Sequence, residues 1–397
     1  MEKLYRTFDL KLKAIKTDIR RSLYANFDWD ERLISLIGAR GVGKTTILLQ
    51  HIKENFKINN EILFVSLDDV FFTTNTLIDL VEIFYTKGGK YLFIDEVHKY
   101  PNWSREIKNI YDTYADLKIV FTGSSILEIY KGEADLSRRA VNYELKGLSF
   151  REYLKIKHKI SFDKIMLDDI ITNHREISGE ITKEIHPLKY FSKYLEGGYY
   201  PYFLEGEKYY HQKINNTLNL MLEIDLPSVV GLNYANVYKI KKLLYILSET
   251  SPYNPNITKL SSQIETNRAT TLQFLSYLKR SDILHLLKSS GKGDGILTKP
   301  DKVYLENPNL MYALASKSPN IGTVRESFFM NQLANLHEVS TAKTGDFLID
   351  EKYIFEVGGK NKSFEQIKNN KNAFIASDDI ETGYGNKIPL WLFGFLY

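Results

Sequence analysis

The chain has no cysteine among its 397 residues. Disulfides, thiolate metal centres and a disulfide-linked partner are thereby excluded, and a reducing, cytoplasmic interior is the expected compartment. No apolar run reaches the ~18 residues that a membrane-spanning helix needs, so no membrane partner is expected. The start, Met1-Glu2-Lys3-Leu4-Tyr5-Arg6, carries charge where a signal peptide has its apolar stretch. Internal repeats and low-complexity tracts are also missing. The net charge of +4 is too small to name a partner by itself. Against these absences, 43% hydrophobic and 26% charged residues describe ordinary globular domains. The length leaves room for two to four of them.

Apolar runs alternate with amphipathic stretches over the first third. Leu10, Leu12, Ile15 and Ile19 recur at helical spacing, which predicts a charged amphipathic helix within 1–30. Strands are predicted at 33–37, 62–67, 91–94 and 117–122, with helical sequence from 44 and from 76. That order implies βαβ units and a parallel sheet covered on both faces. From 146 to about 238 the pattern is helical, broken at Gly197-Gly198 and Pro201. Helices at 237–249, 257–265 and 268–281 then precede two strand-like pieces, 283–287 and 302–305, around Gly291-Lys292-Gly293-Asp294-Gly295. This order resembles a winged helix-turn-helix. The last stretch predicts a helix at 323–336, strands at 346–349, 353–357 and 389–395, and a short helix at 366–370. The expected fold class is α/β: a P-loop domain at 1–145, a helical region at 146–238, a winged helix at 239–306 and a small α+β domain at 307–397.

Gly38-Ala39-Arg40-Gly41-Val42-Gly43-Lys44-Thr45 fits G-x-x-x-x-G-K-[ST] at every fixed position, between a predicted strand and a predicted helix. In such a loop, backbone N–H groups from Gly38 to Thr46 face the phosphates of ATP and the helix adds its positive end. Lys44 would reach the β- and γ-phosphates, and Thr45 would ligate Mg²⁺. Tyr91-Leu92-Phe93-Ile94-Asp95-Glu96 is an apolar strand ending in two carboxylates. Asp95 would hold Mg²⁺, and Glu96 would polarise the attacking water. Asp68-Asp69, after an earlier strand, reads as an acidic turn. At the end of the next strand, Thr122 or Ser124 would sense the γ-phosphate, or the hydroxyls there simply cap a turn. Arg139, in Leu136-Ser137-Arg138-Arg139, reads either as a finger contributed to a neighbouring subunit's phosphate or as part of a solvated basic pair.

The motifs GARGVGKT, LFIDEVHKYPNW, VFTGSS and LSRRAVNYELKGLSFREYL, in that order, resemble bacterial and archaeal AAA+-type P-loop ATPases with a C-terminal domain of uncharacterised role. The resemblance continues through YLEGGYYPYFLEG (194–206), EIDLP (223–227) and KPDKVYLENPNLMYAL (299–314), so it spans nearly the whole chain. It implies an ATPase with ATP and Mg²⁺ as ligands, and it brings the reading of Arg139 as a finger within a homo-oligomer level with that of a solvated basic pair.

Residues 239–302 hold eleven Lys/Arg against five Asp/Glu, a surplus of six, so positive charge is concentrated there. A basic helix-turn-helix suits duplex DNA, with Arg268 opening the recognition helix and Lys279 and Arg280 closing it. A packing module with a solvated basic face fits the same composition. In the last domain, Glu326 on a helix, Asp346 at a strand start and Glu356 in the next strand resemble the PD-(D/E)xK nuclease arrangement. Glu356-Val357-Gly358 lacks its lysine, for which Lys360 or Lys362 would have to substitute from a shifted position. Three functions remain open: a nucleic-acid-associated ATPase, a nucleotide-switched signalling or scaffold protein, and an ATP-dependent nuclease.

Overall fold

A computed structural model of the protein describes residues 1–125, 136, 138–250, 252, 255–289 and 298–397. The predicted turn at 291–295 lies outside the described residues, as do Ser137, Ser251, Tyr253 and Asn254. Two compact units form: Met1–Lys146 with Glu223–Leu232, and Gly147–Leu222 with Asn233–Tyr397. Residues 223–232, expected within the helical region, thus pack in the first unit.

The first unit is built on strands β1 (Leu33–Gly38), β2 (Ile62–Ser66), β3 (Tyr91–Asp95), β4 (Lys118–Ser124) and β5 (Val141–Glu144), in the order β2-β3-β4-β1-β5 and all parallel. Helices α1 (Glu2–Ala14), α2 (Lys44–Asn55), α3 (Leu77–Thr86) and α4 (Trp103–Thr113) flank the sheet. The central strands are buried almost throughout, as strands covered on both faces must be. Register sets Gly38 beside Ser124, while β3 ends in Asp95, so the chemistry-bearing residues gather at the C-terminal ends of adjoining strands.

Helix α1 ends at Ala14, well short of the predicted span. Lys53 Nζ takes the Ile15 carbonyl (2.8 Å), and Gln50 Nε2 takes those of Lys16 (2.8 Å) and Ile19 (2.7 Å). Side chains from α2 therefore satisfy backbone that a longer helix would have satisfied itself. Asp69 is the turn residue expected of it: it accepts from the Phe71 N–H and caps a 3₁₀ turn, Val70–Thr73.

The second unit begins with α5 (Phe150–Tyr153), whose Ser149 and Glu152 form a capping box. Helices α6 (Leu167–Glu184), α7 (Pro187–Gly197) and α8 (Tyr210–Leu220) follow. The chain then visits the first unit, where α9 (Leu226–Val230) lies, and returns at Asn233. Helices α10 (Tyr234–Thr250), α11 (Ile257–Gln263) and α12 (Arg268–Arg280) lead to the antiparallel pair β6 (Leu284–Leu287) and β7 (Lys302–Leu305). After α13 (Pro308–Leu314) and α14 (Ile321–Leu333) comes a mixed sheet. It comprises β8 (Val339–Ser340), β9 (Phe347–Ile349), β10 (Tyr353–Gly358), β11 (Ala373–Ser377) and β12 (Lys387–Pro389), ordered β12-β11-β10-β9-β8.

Two expectations for this last stretch are corrected. Leu390–Phe395 is a buried 3₁₀ helix, not a strand; a run that is apolar on every side has no period to reveal its type. The predicted helix at 366–370 is a series of turns, in a segment rich in Asn. Strands β8 and β11 were not anticipated.

The second unit also holds a buried polar network. Glu306 accepts from Tyr199 Oη (2.8 Å) and Asn331 Nδ2 (2.7 Å). Asn309 accepts from Tyr210 Oη (2.6 Å) and donates to the Leu195 carbonyl (2.7 Å). Two separated motifs, GGYYP and LENPN, therefore meet in one core.

Candidate nucleotide-binding site

Gly38 opens the loop at a close approach: a Cβ there would lie 2.2 Å from the Leu145 carbonyl oxygen, inside any real contact. Gly43, at φ +105°, is the left-handed N-cap from which α2 starts, a conformation that disfavours side chains. Between them the loop curls over Lys44, whose buried ammonium donates to the carbonyls of Gly38 (2.8 Å) and Ala39 (2.9 Å). Ala39 and Val42 are buried, while Gly41 and Thr46 are exposed and Arg40 is partly so.

At the first turn of α2, Thr45 Oγ1 donates to the Asp95 carboxylate at 2.9 Å. Thr122 Oγ1 donates to the same carboxylate and also accepts from the Glu96 N–H at 3.2 Å. Burial raises the Asp95 carboxyl above its ordinary range; the hydroxyls of Thr122 and Thr45 pull it down, and the Glu96 charge pushes it up again. A buried carboxylate with a second one beside it is a place where a cation is favourable, and a hydroxyl plus a carboxylate are the hard oxygen donors that Mg²⁺ takes. Among the described residues no three His, Asp or Glu side chains converge on a metal position. Ser124 Oγ and Ser125 Oγ are buried without a hydrogen-bond partner, so polar capacity is left over at the end of β4.

Glu96 occupies the left-handed region at φ +56°, a strained conformation for a side-chain-bearing residue, of the kind that clusters at functional sites. Its Oε2 lies 3.3 Å from His98 Nε2 and 3.6 Å from Arg40 Nη2. The backbone N–H of Ser124 points at His98 Nδ1 (3.4 Å), which assigns the neutral ring's proton to Nε2, the atom facing Glu96.

The same group includes Asp225, fully buried in the first unit. Arg40 Nε (2.7 Å) and Lys99 Nζ (2.6 Å) donate to it, and His98 Nε2 stands 3.7 Å away. Burial works to raise this carboxyl; His98, Lys99 and Arg40 overcome that and hold it well below the usual carboxylate range. Sequence reasoning assigned no role to His98, Lys99 or Asp225. The signals were present: His98-Lys99, one residue past Asp95-Glu96, and an aspartate within the EIDLP motif.

Arg139 forks onto Asp112 of α4, with Nε at 2.9 Å and Nη2 at 3.1 Å. In the second unit, Glu356 is buried and paired with Lys362 at 2.6 Å, so the lysine nearest that carboxylate is Lys362; Lys360 is exposed. Asp346 accepts from the Val357 N–H (2.9 Å) and lies 3.6 Å from Lys302; Glu326 accepts from Tyr304 Oη (2.7 Å). Burial and the neighbouring Asp346 raise the Glu326 carboxyl. Arg268 and Lys279 are exposed on α12 and Arg280 partly so, whereas Lys239 and Lys242 donate to Glu265 at the surface.

Residues 30–154 match the AAA domain family. The match takes in the phosphate loop, the Asp95-Glu96 turn and β4, and it supports an AAA-type P-loop ATPase domain for this part of the chain. Two uncharacterised proteins of Methanocaldococcus jannaschii resemble nearly the whole chain. One is 26% identical over 89% of this chain and 81% of its own length, the other 24% identical over 90% and 78%. Among solved structures, the Aeropyrum pernix ORC1 protein in complex with DNA aligns with 83% of this chain and 92% of its own, at 10% identity and a TM-score of 0.31. AMPPCP-bound DnaA from Aquifex aeolicus aligns with 70% and 88%, at 15% identity and 0.27. Likenesses of this size do not extend to function. No helix among the described residues is long and apolar enough to cross a membrane.

Proposed function

We propose that the chain is a Mg²⁺-dependent ATPase whose nucleotide state governs its C-terminal half, working in association with duplex DNA. The observation that carries the ATPase reading is the contact between Thr45 Oγ1 and Asp95 at 2.9 Å, which unites the end of the phosphate loop with the end of β3. Lys44 would exchange the carbonyls it now caps for β- and γ-phosphate oxygens, and the amides from Gly38 to Thr46 would cradle the phosphates. Thr45 and Asp95 would hold Mg²⁺, which when bound neutralises charge on those oxygens. Glu96 would orient and polarise the attacking water. Thr122 is already committed to Asp95 and Glu96, so the unpartnered hydroxyl of Ser124 is the better sensor of the γ-phosphate.

The DNA reading rests on the basic surplus of 239–302 and on the exposure of Arg268 and Lys279. In the acidic group of Glu326, Asp346 and Glu356, the Lys362–Glu356 pair gives a second reading, nuclease activity, its one specific support.

One experiment separates these readings. ATP turnover is measured with and without duplex DNA across a salt series, for the natural chain and for Lys44→Ala, and the DNA is then run on a gel. Turnover that Lys44→Ala abolishes, and that DNA stimulates less as salt rises, is the expected outcome. Absence of turnover overturns the ATPase reading. Turnover indifferent to DNA overturns the nucleic-acid reading and leaves the scaffold. Intact DNA after incubation with Mg²⁺ removes the nuclease.

A further inference from the structure

Arg40 and His98 both approach Glu96, and both also lean on Asp225. Arg40 divides its guanidinium unequally: Nε is 2.7 Å from Asp225, and Nη2 is 3.6 Å from Glu96. His98 Nε2 stands 3.3 Å from Glu96 and 3.7 Å from Asp225. Lys99 holds the other Asp225 oxygen at 2.6 Å. Asp225 is wholly buried, so its charge is not screened by water, and it competes directly with Glu96 for the same guanidinium. Without that competitor, Arg40 would close onto Glu96 as a direct ion pair. Such a pair withdraws basicity from the carboxylate and turns it away from an attacking water.

We propose that Asp225 is a positioning residue of the hydrolytic centre, acting through Arg40 and His98 to keep the Glu96 carboxylate free to polarise water. The proposal rests on the ATPase reading above. It adds a residue 129 positions beyond Glu96, in a segment whose chain neighbours on both sides belong to the other unit.

The test is a double-variant cycle on the full chain: Asp225→Asn, Arg40→Met and the two combined. Affinity for a fluorescent ATP analogue, kcat and KM are measured for each. Asp225→Asn is expected to leave affinity and KM within about threefold and to lower kcat by about 10²-fold, the scale of loss from a misplaced catalytic group. In the Arg40→Met background, the same Asp225 change is expected to lower kcat by less than about threefold further. An Asp225→Asn chain with natural kcat overturns the proposal, and so does an equal loss in both backgrounds. A merely structural aspartate would lower affinity and folded fraction together, in either background. Should Asp225→Asn fail to fold, the combined variant, which leaves no guanidinium at position 40, is compared with Arg40→Met alone; a further loss above about tenfold overturns the proposal. Turnover by the natural chain is the control: its absence overturns the ATPase reading and this proposal together, whereas its presence with an unaffected Asp225→Asn overturns the proposal alone.

Discussion

Thr122 does two things with one hydroxyl. It donates to Asp95 and accepts from the Glu96 N–H, so it holds the proposed Mg²⁺ ligand and the turn that carries the proposed base in one geometry. Valine has nearly the same shape and neither capacity. Thr122→Val leaves the Glu96 N–H and one Asp95 oxygen short of a partner, at about 1–3 kcal/mol for buried groups. The expected outcome is a lower unfolding midpoint together with a kcat reduced by about tenfold or more, read by thermal melting and steady-state ATP turnover. A variant that loses stability but keeps kcat would show that the hydroxyl serves the fold alone. At this scale the sequence was most legible where partners are neighbours in the chain. Gly43, Lys44 and Thr45 belong to one local motif, and Asp95-Glu96 end one apolar strand. Thr122 was noticed for its place at a strand end, but its commitment to Asp95 spans 27 positions and leaves no local pattern. Asp225 reaches Arg40 across 185 positions and was missed as a functional residue for the same reason.

At the scale of elements, α2 does more than follow the phosphate loop. Its outer face gathers the extended chain after α1 through Gln50 and Lys53, and His51 stacks flat on Trp29 with ring centroids 3.6 Å apart. Burial lowers the His51 imidazole from an ordinary value near 6.5 to about 4, with Glu54 opposing and Arg20 assisting. The native state therefore keeps His51 neutral where the unfolded chain would charge it. Stability from this site is complete above pH 6.5 and drains away as pH falls towards 4. The expected slope is about 1.4 kcal/mol per pH unit across that window. Denaturant titrations at several pH values check it, and His51→Gln should flatten the slope. Elsewhere the element pattern was read well where strands alternate with helices. It failed at the C-terminus, where Leu390–Phe395 is apolar on all sides, and at α1, whose end is decided by side chains of α2. The motifs around Tyr199 and Asn309 were visible as words in the sequence; their meaning, a shared buried network, required the fold.

At the scale of the whole molecule, we propose that Arg139 bears on assembly. Its guanidinium is held by Asp112 in a partly exposed pair, which water screens and which exchanges readily for a stronger anion. A γ-phosphate in a neighbouring copy is such an anion. Mixing Lys44→Ala chains with Arg139→Ala chains, each inactive alone, is expected to restore part of the turnover under conditions where the ATP-bound particle is heavier than one chain. Mixtures as inactive as their components would confine Arg139 to the surface of its own subunit.

The route of the chain through residues 223–232 also sets a schedule. During synthesis the ribosome delivers the whole five-stranded sheet, with Arg40, His98 and Lys99 in place, long before it delivers Asp225. Until then the cations of Arg40 and Lys99, with His98 beside them, have no buried carboxylate between them. The first unit is thus electrostatically complete only after part of the second has been made, and a nascent chain that stalls before residue 225 carries a phosphate loop whose Arg40 lacks its buried counter-charge.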